Sequence, residues 1–169
     1  MFRMKPAYIV ERVTDIHLEE LKDDNIKGLI FDLDNTLMPP ETGIYPEDIA
    51  EWIESVKQDF KIAILSNNPD QCYVEEAGKR IGCIYFHKAD KPRRKAALKA
   101  LKEMDLIPSQ VAMVGDRPLT DILVGQRLGM MTILVDPIIK HQEIALFKFL
   151  RKLERIFVSS PKKRFGEKN

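Results

Sequence analysis

A chain of 169 residues with 44% hydrophobic and 31% charged side chains is long enough for one domain with a full core and too short for two ordinary ones. That composition excludes a disordered chain, and a formal net charge of +1 excludes any bulk attraction to nucleic acid. The charge is unevenly spread: from Ile139 onward there are 9 Lys or Arg against 3 Asp or Glu, which leaves 18 against 23 before it, so the tail is basic and the body mildly acidic.

The opening residues are polar and broken by Pro6, and no apolar run approaches the roughly 18 residues of a membrane span, so neither an exported nor an integral protein is expected. Cys72 and Cys83 form no CxxC pair and no ligand cluster with His17, His87 or His141. Buried free thiols in a reducing compartment, and hence cytoplasmic residence, are expected. In chain order, Ala7 to Val13 reads as a short strand or extended arm and His17 to Leu21 as a short helix, with the role of the first 25 residues open. Ile26 to Phe31 is a buried strand that ends in Asp32 and Asp34. The prolines of Met38-Pro-Pro-Glu-Thr-Gly43 forbid a helix, and Pro46 then starts one that runs to Val56. Phe60 to Leu65 is strand, Ser66 to Asp70 a loop with helix-start chemistry, and Gln71 to Arg80 a helix closed near Gly82. Cys83 to Phe86 is strand, His87 to Arg94 a basic loop, and Lys95 to Met104 helix. Val111 to Val114 is strand with Gly115-Asp116 at its exit, followed by helix over Leu119 to Leu128 and strand over Met131 to Val135.

Strands of four to six mostly apolar residues alternating with helices predict an α/β fold, a doubly wound Rossmann-like parallel sheet covered on both faces. The body spans residues 1–138, and 139–169 form an amphipathic basic helix and tail. Ligands of such sheets bind outside the carboxyl ends of the strands. Asp32 and Asp34, Ser66 and Asn67, Lys91, and Gly115-Asp116 stand at four successive strand exits. Two carboxylates spaced as Asp32 and Asp34 share one face of an extended strand and repel, which calls for a cation or a proton between them.

A phosphoryl group gives each exit a task. Asp32 can attack phosphorus to form an aspartyl phosphate. Asp34 can protonate the leaving alkoxide and then activate water. Ser66 and the amides of the Ser66 to Asn68 turn can donate to phosphoryl oxygens, and Lys91 can neutralise a further charge. Asp116 and Asp121 offer hard oxygens for Mg²⁺. Each element also has a plainer explanation: a solvated loop end for the Asp pair, helix capping for Ser66 to Asp70, a charge cluster for Lys91, and a helix-start acid for Asp121. Their joint appearance in order is what those explanations leave over.

The segments Phe31-Asp-Leu-Asp-Asn-Thr-Leu37, Leu65-Ser-Asn67, Lys91-Pro92 and Val114-Gly-Asp-Arg-Pro-Leu-Thr-Asp121 resemble the four motifs of the haloacid dehalogenase superfamily. The resemblance implies a phosphatase with Asp32 as nucleophile, Asp34 as acid and base, and Ser66, Asn67 and Lys91 as phosphate binders. It implies Mg²⁺ held by Asp32, the backbone carbonyl of Asp34 and Asp116, with Asp121 in support. Lys95 is a second candidate for the lysine, and the proline after Lys91 favours Lys91. The gaps of 31 residues between Asp34 and Ser66 and 24 between Ser66 and Lys91 leave no room for an inserted cap domain, as in subclass IIIA. Water exclusion then falls to the Met38 to Tyr45 loop or to the substrate.

In the tail, Leu146, Phe149, Leu150, Leu153, Ile156 and Phe157 recur at helical spacing, with Lys148, Arg151, Lys152 and Arg155 largely outside that stripe. The helix either packs on the body or lies on an anionic membrane, assisted by Lys162-Lys-Arg164. The short body, the DxDNT signature and the basic helical end are similar to bacterial relatives of mitochondrial phosphatidylglycerophosphate phosphatase. That similarity implies a lipid phosphate substrate at the inner face of the membrane. Two alternatives stay open: a phosphatase of a soluble ester or phosphoprotein, and a non-catalytic module that binds a partner such as ribosomal RNA.

Overall fold

The computed structural model describes residues 3–139, 145–161 and 165–166, and within the last helix it leaves the side chains of 145–148 and 151 undescribed. Six strands run in chain order: β1 (Tyr8–Val10), β2 (Gly28–Phe31), β3 (Lys61–Leu65), β4 (Ile84–Phe86), β5 (Val111–Gly115) and β6 (Met131–Val135). They form one parallel sheet in the order β1-β6-β5-β2-β3-β4. After β2 the chain winds outward through β3 and β4, returns to the other side of β2 as β5, and continues to β6. The reversal falls between β2 and β5, where the loops diverge and leave a crevice. Asp32 and Asp116 follow these two strands.

Among the described residues there are six α-helices: α1 (Leu18–Asp23), α2 (Glu47–Asp59), α3 (Gln71–Ile81), α4 (Lys95–Met104), α5 (Leu123–Leu128) and α6 (Ala145–Ile156). Successive strand residues point to opposite faces, so each strand serves two cores. Leu29 and Phe31 of β2 pack with Ile49, Ile53 and Val56 of α2 and with Val74, Ala77 and Ile81 of α3. Ile30, between them, packs on the other face with Ala97, Ala100, Leu101 and Met104 of α4 and Val124 of α5. The central strands are buried on both sides, which explains why they read as continuous apolar runs.

Local signals set the helix ends. The Asp70 side chain caps α3 by accepting from the Tyr73 N–H at 3.1 Å, and Gly82 closes that helix at φ 72°. The helix predicted over Leu119 to Leu128 is in two parts, a π-helical turn over Pro118–Ile122 and then α5. The wide turn carries Asp121 inward to the end of β5. β1 pairs with β6 as the sheet edge, so the opening segment contributes a strand. Both cysteines are free, but the expectation that both are buried is corrected: Cys72 sits exposed near the start of α3, and Cys83 is half-buried, where burial pushes its thiol up to about 12. Among the described residues, no helix is long and apolar enough to cross a membrane.

Candidate active site

β2 stops at Phe31, so the chain has left the strand when it reaches the two aspartates. Asn35, at φ 66°, accommodates a tight turn in which its N–H donates to the Met38 carbonyl at 2.8 Å. Strand alternation therefore does not govern Asp32 and Asp34, and their carboxylates meet different partners. Asp32 accepts from Lys91 Nζ at 2.6 Å. Asp34 accepts from the Tyr73 hydroxyl at 2.7 Å and from Asn68 Nδ2 at 3.1 Å.

Lys91 is 5% exposed, whereas Lys88, Arg93, Arg94 and Lys95 around it are in solvent. That burial separates it from a solvated charge cluster and removes Lys95 as the lysine of the site. Its ammonium bridges Asp32 and Asp121, the latter at 2.7 Å. Burial alone would lower the lysine, but the Asp121 and Asp32 carboxylates outweigh it and hold the ammonium charged. Asn67 fixes this loop: its Nδ2 donates to the Lys91 carbonyl at 3.1 Å and its Oδ1 accepts from the Lys91 N–H at 2.8 Å. The phosphate contact expected of Asn67 therefore has only its second amide hydrogen and its main chain to work with. Ser66 is buried, and its Oγ accepts from the Asn68 N–H at 3.0 Å, which leaves the hydroxyl hydrogen to donate.

Carboxylate oxygens of Asp32, Asp116 and Asp121 lie within 4.8 Å of one another. Burial pushes the Asp32 carboxyl up to about 8; Lys91 opposes this, while Asp121 and Asp116 add to it. Asp121 is held from three sides. Its Oδ1 meets Lys91 Nζ and the Thr120 hydroxyl at 3.2 Å, and its Oδ2 accepts from the Arg117 N–H at 3.0 Å. Gly115 makes room for it, since a Cβ there would stand 2.3 Å from Asp121 Oδ2. Carboxyl groups crowded in this way favour a proton or a cation among them, and hard oxygen donors so placed suit a small divalent cation such as Mg²⁺. Asp32, Asp116 and Asp121 are the carboxylates that could hold it, and Asp121 already accepts from three donors. The Asp34 carboxylate stands outside this cluster, so any ligand from that residue is its main-chain carbonyl.

Several groups at the site carry no strong signal in the sequence. Thr36 makes a long 3.5 Å contact from its hydroxyl to Asp116 Oδ1, and Asn68 and Tyr73 hold Asp34. Thr36 lies within the Phe31 to Leu37 motif and Asn68 within the Ser66 to Asn68 turn; Tyr73 lies in the first turn of α3, and only the fold brings it to Asp34. The Tyr73 hydroxyl also accepts from the Glu41 N–H at 3.2 Å, Arg80 Nη1 donates to the Gly43 carbonyl at 2.6 Å, and the Tyr45 hydroxyl donates to the Ala77 carbonyl at 3.0 Å. The loop after Met38 is thus tied to α3 beside Asp34. A cleft of about 320 Å³ opens next to Thr36, with Arg12, Asp136 and Ile138 in its lining.

Comparison with known proteins gives concordant matches. The family model described as mitochondrial PGP phosphatase matches residues 2–139. The chain is 35% identical over 160 residues to the probable phosphatase YqeG of Bacillus subtilis, covering 94% of this chain and 92% of that protein. It is 33% identical to the chloroplastic and mitochondrial phosphatidylglycerophosphate phosphatase 1 of Arabidopsis thaliana, over 88% of this chain but only 45% of that longer protein. Among solved structures, the cobalt-bound form of deoxy-D-mannose-octulosonate 8-phosphate phosphatase from Haemophilus influenzae superposes with a TM-score of 0.57 at 16% identity, over 82% of this chain and 78% of that one. That likeness speaks for a shared fold.

Proposed function

Because this chain belongs to the mitochondrial PGP phosphatase family, and is thus a phosphatase of the haloacid dehalogenase type, we propose that it removes the terminal phosphate of phosphatidylglycerophosphate through an Asp32 aspartyl phosphate, with Mg²⁺ as cofactor. The observation that carries the chemistry is the division of labour between two carboxylates two residues apart. Asp32 lies among Lys91, Asp116 and Asp121, while Asp34 is held by the neutral donors Tyr73 and Asn68. One environment suits a nucleophile kept close to compensating charge; the other suits a group that alternates between acid and base.

An Asp32 carboxylate oxygen forms a bond to phosphorus as the bond from phosphorus to the lipid alkoxide breaks, and Asp34, protonated, gives its proton to that alkoxide. Asp34, now a carboxylate, takes a proton from the water that attacks phosphorus. The bond from Asp32 to phosphorus then breaks, releasing inorganic phosphate and restoring both carboxyl groups. Lys91 and the Ser66 hydroxyl stabilise the equatorial oxygens of the transferring group, and Asn67 keeps Lys91 in place. Mg²⁺, when bound by Asp32 and Asp116, supplies further neutralisation of phosphoryl charge. The lipid substrate is supported by the family match and the Arabidopsis thaliana relative, and on this reading the protein works in the cytoplasm at the inner face of the membrane.

A panel of phosphate esters assayed with Mg²⁺, with phosphatidylglycerophosphate in detergent micelles beside aryl, sugar and protein phosphates, tests the substrate. The lipid should show the highest kcat/KM, and Asp32→Asn should abolish release from every member. A soluble ester turned over faster than the lipid would replace the lipid assignment.

A further inference from the structure

The last helix is attached to the body by its polar side. Glu154 is 5% exposed and pairs with Arg117, the residue between Asp116 and the π-helical turn that carries Asp121. Arg155 pairs with Asp136 at the exit of β6, and just past the helix Val158 packs with Met4, Ile122 and Leu134. On a helical wheel Glu154 and Arg155 fall on one side, and the chain after the helix continues on that side at Val158. The apolar stripe lies on the other: Phe149 is 58% exposed, Ile156 55% and Leu153 40%, with Leu150 and Phe157 exposed at its border. A helix that turns its charged edge to the protein and its apolar stripe to solvent is inverted relative to an ordinary surface helix. Among the described residues the buried Glu154 carboxylate, paired with the Arg117 guanidinium, is what turns this edge of the helix inward.

On the lipid-phosphate reading above, we propose that the outward stripe of α6, centred on Phe149, Leu153 and Ile156, is the face by which this phosphatase docks on an anionic lipid bilayer. Charge identifies the occupant. Lys152 is exposed beside the stripe, and the segment from Ile139 onward carries 9 basic against 3 acidic residues. Apolar side chains bordered by cations match an interface of acyl chains beneath anionic headgroups. A second copy of the chain would instead bring two cationic borders together. Because α6 rests on the Pro118–Ile122 turn and Glu154 grips Arg117, the docking face is fixed rigidly to the segment that positions Asp121. The bilayer contact and the acidic cluster are thus held by neighbouring residues of one loop.

Full-length protein should co-sediment at low salt with vesicles containing phosphatidylglycerol, release as salt is raised, and stay in the supernatant with phosphatidylcholine vesicles. Phe149→Ser with Ile156→Ser removes two outward side chains and should weaken partitioning into the anionic vesicles by about 100-fold while hydrolysis of a soluble aryl phosphate is unchanged. Binding that survives the double substitution, equal binding to neutral vesicles, or no binding by the full chain would overturn the proposal. A dimer in solution that the double substitution dissociates, without vesicle binding, would overturn it in favour of a second copy. If vesicles bind through this face but the micellar lipid is not hydrolysed, the lipid substrate falls and the docking face stands.

Discussion

Lys91 is the residue on which the electrostatics of the site turn. Replacing it by Met leaves the Asp32, Asp116 and Asp121 carboxylates with no ammonium among them, and breaking a buried ion pair from one side costs about 3–5 kcal/mol. Lys91→Met should therefore lower the melting temperature in EDTA, and Mg²⁺ should restore more of the loss than it adds to the unaltered protein. An unchanged melting temperature would show that the cluster is not under electrostatic tension. Asp32 makes a related prediction about pH. Its carboxyl is raised by burial from the ordinary 3.8 to about 8, so between those values the folded state holds a proton that the unfolded chain has lost. Metal-free stability should fall as pH rises through that window, and Asp32→Asn should flatten the fall. A cation needs the ionised carboxylate, so its binding expels the proton; Mg²⁺ affinity should climb with pH up to about 8 and then level off. Titration calorimetry in buffers of different ionisation enthalpy reads this as proton release at pH 7.

At the scale of elements, the turn from β5 into the π-helical segment is tightly packed at Gly115. Gly115→Ala would place a Cβ against the Asp121 carboxylate, whose three donors allow it little retreat. Overpacking of this kind costs about 1–3 kcal/mol, and here its larger effect should be a weakened Mg²⁺ response measured by thermal shift. An alanine variant with an unaltered Mg²⁺ response would mean that Asp121 has no part in holding the cation. The alternation of strands and helices was legible because the central strands are buried on both faces and so stand out as apolar runs of helix-incompatible length. Lys95 to Met104 and Met131 to Val135 carry both the pattern and clean ends, and their predicted bounds match the structure. The π-helical turn was not legible. Its widened geometry places Asp121 on Lys91, a contact between distant segments that no local propensity encodes. For the same reason the partners of Asp34 were hidden: the tight turn at Asn35 overrides strand alternation, and Tyr73 arrives from a different helix.

On the scale of the whole molecule, the segment around Met4 to Tyr8 meets the residues that follow α6. The Met4 N–H donates to the Phe157 carbonyl at 2.7 Å, the Ser159 N–H to the Met4 carbonyl at 2.9 Å, and Phe165 stacks on Tyr8 with ring centroids 3.7 Å apart. The basic segment is thus not a detachable appendage, and deleting it near Pro137 would remove these contacts along with the Glu154 to Arg117 pair. Point substitutions on the outer face of α6 are the cleaner probe for that reason. Sequence periodicity revealed the amphipathic helix but not its inverted orientation, because the buried acid that sets it needs a partner 37 residues away. The expected help of Lys162-Lys-Arg164 in membrane binding falls outside the described residues. With no inserted cap between the motifs, the loop tied to α3 and the substrate itself are left to shield the reacting phosphorus. On the proposed mechanism the phosphoryl group is carried by Asp32. Acid quenching during steady turnover of an aryl phosphate with Mg²⁺, followed by mass spectrometry of peptides, tests it directly. A phosphoryl group on the peptide bearing Asp32, absent from Asp32→Asn, is the predicted result; turnover by Asp32→Asn, or a phosphoryl group carried on another residue, would contradict it.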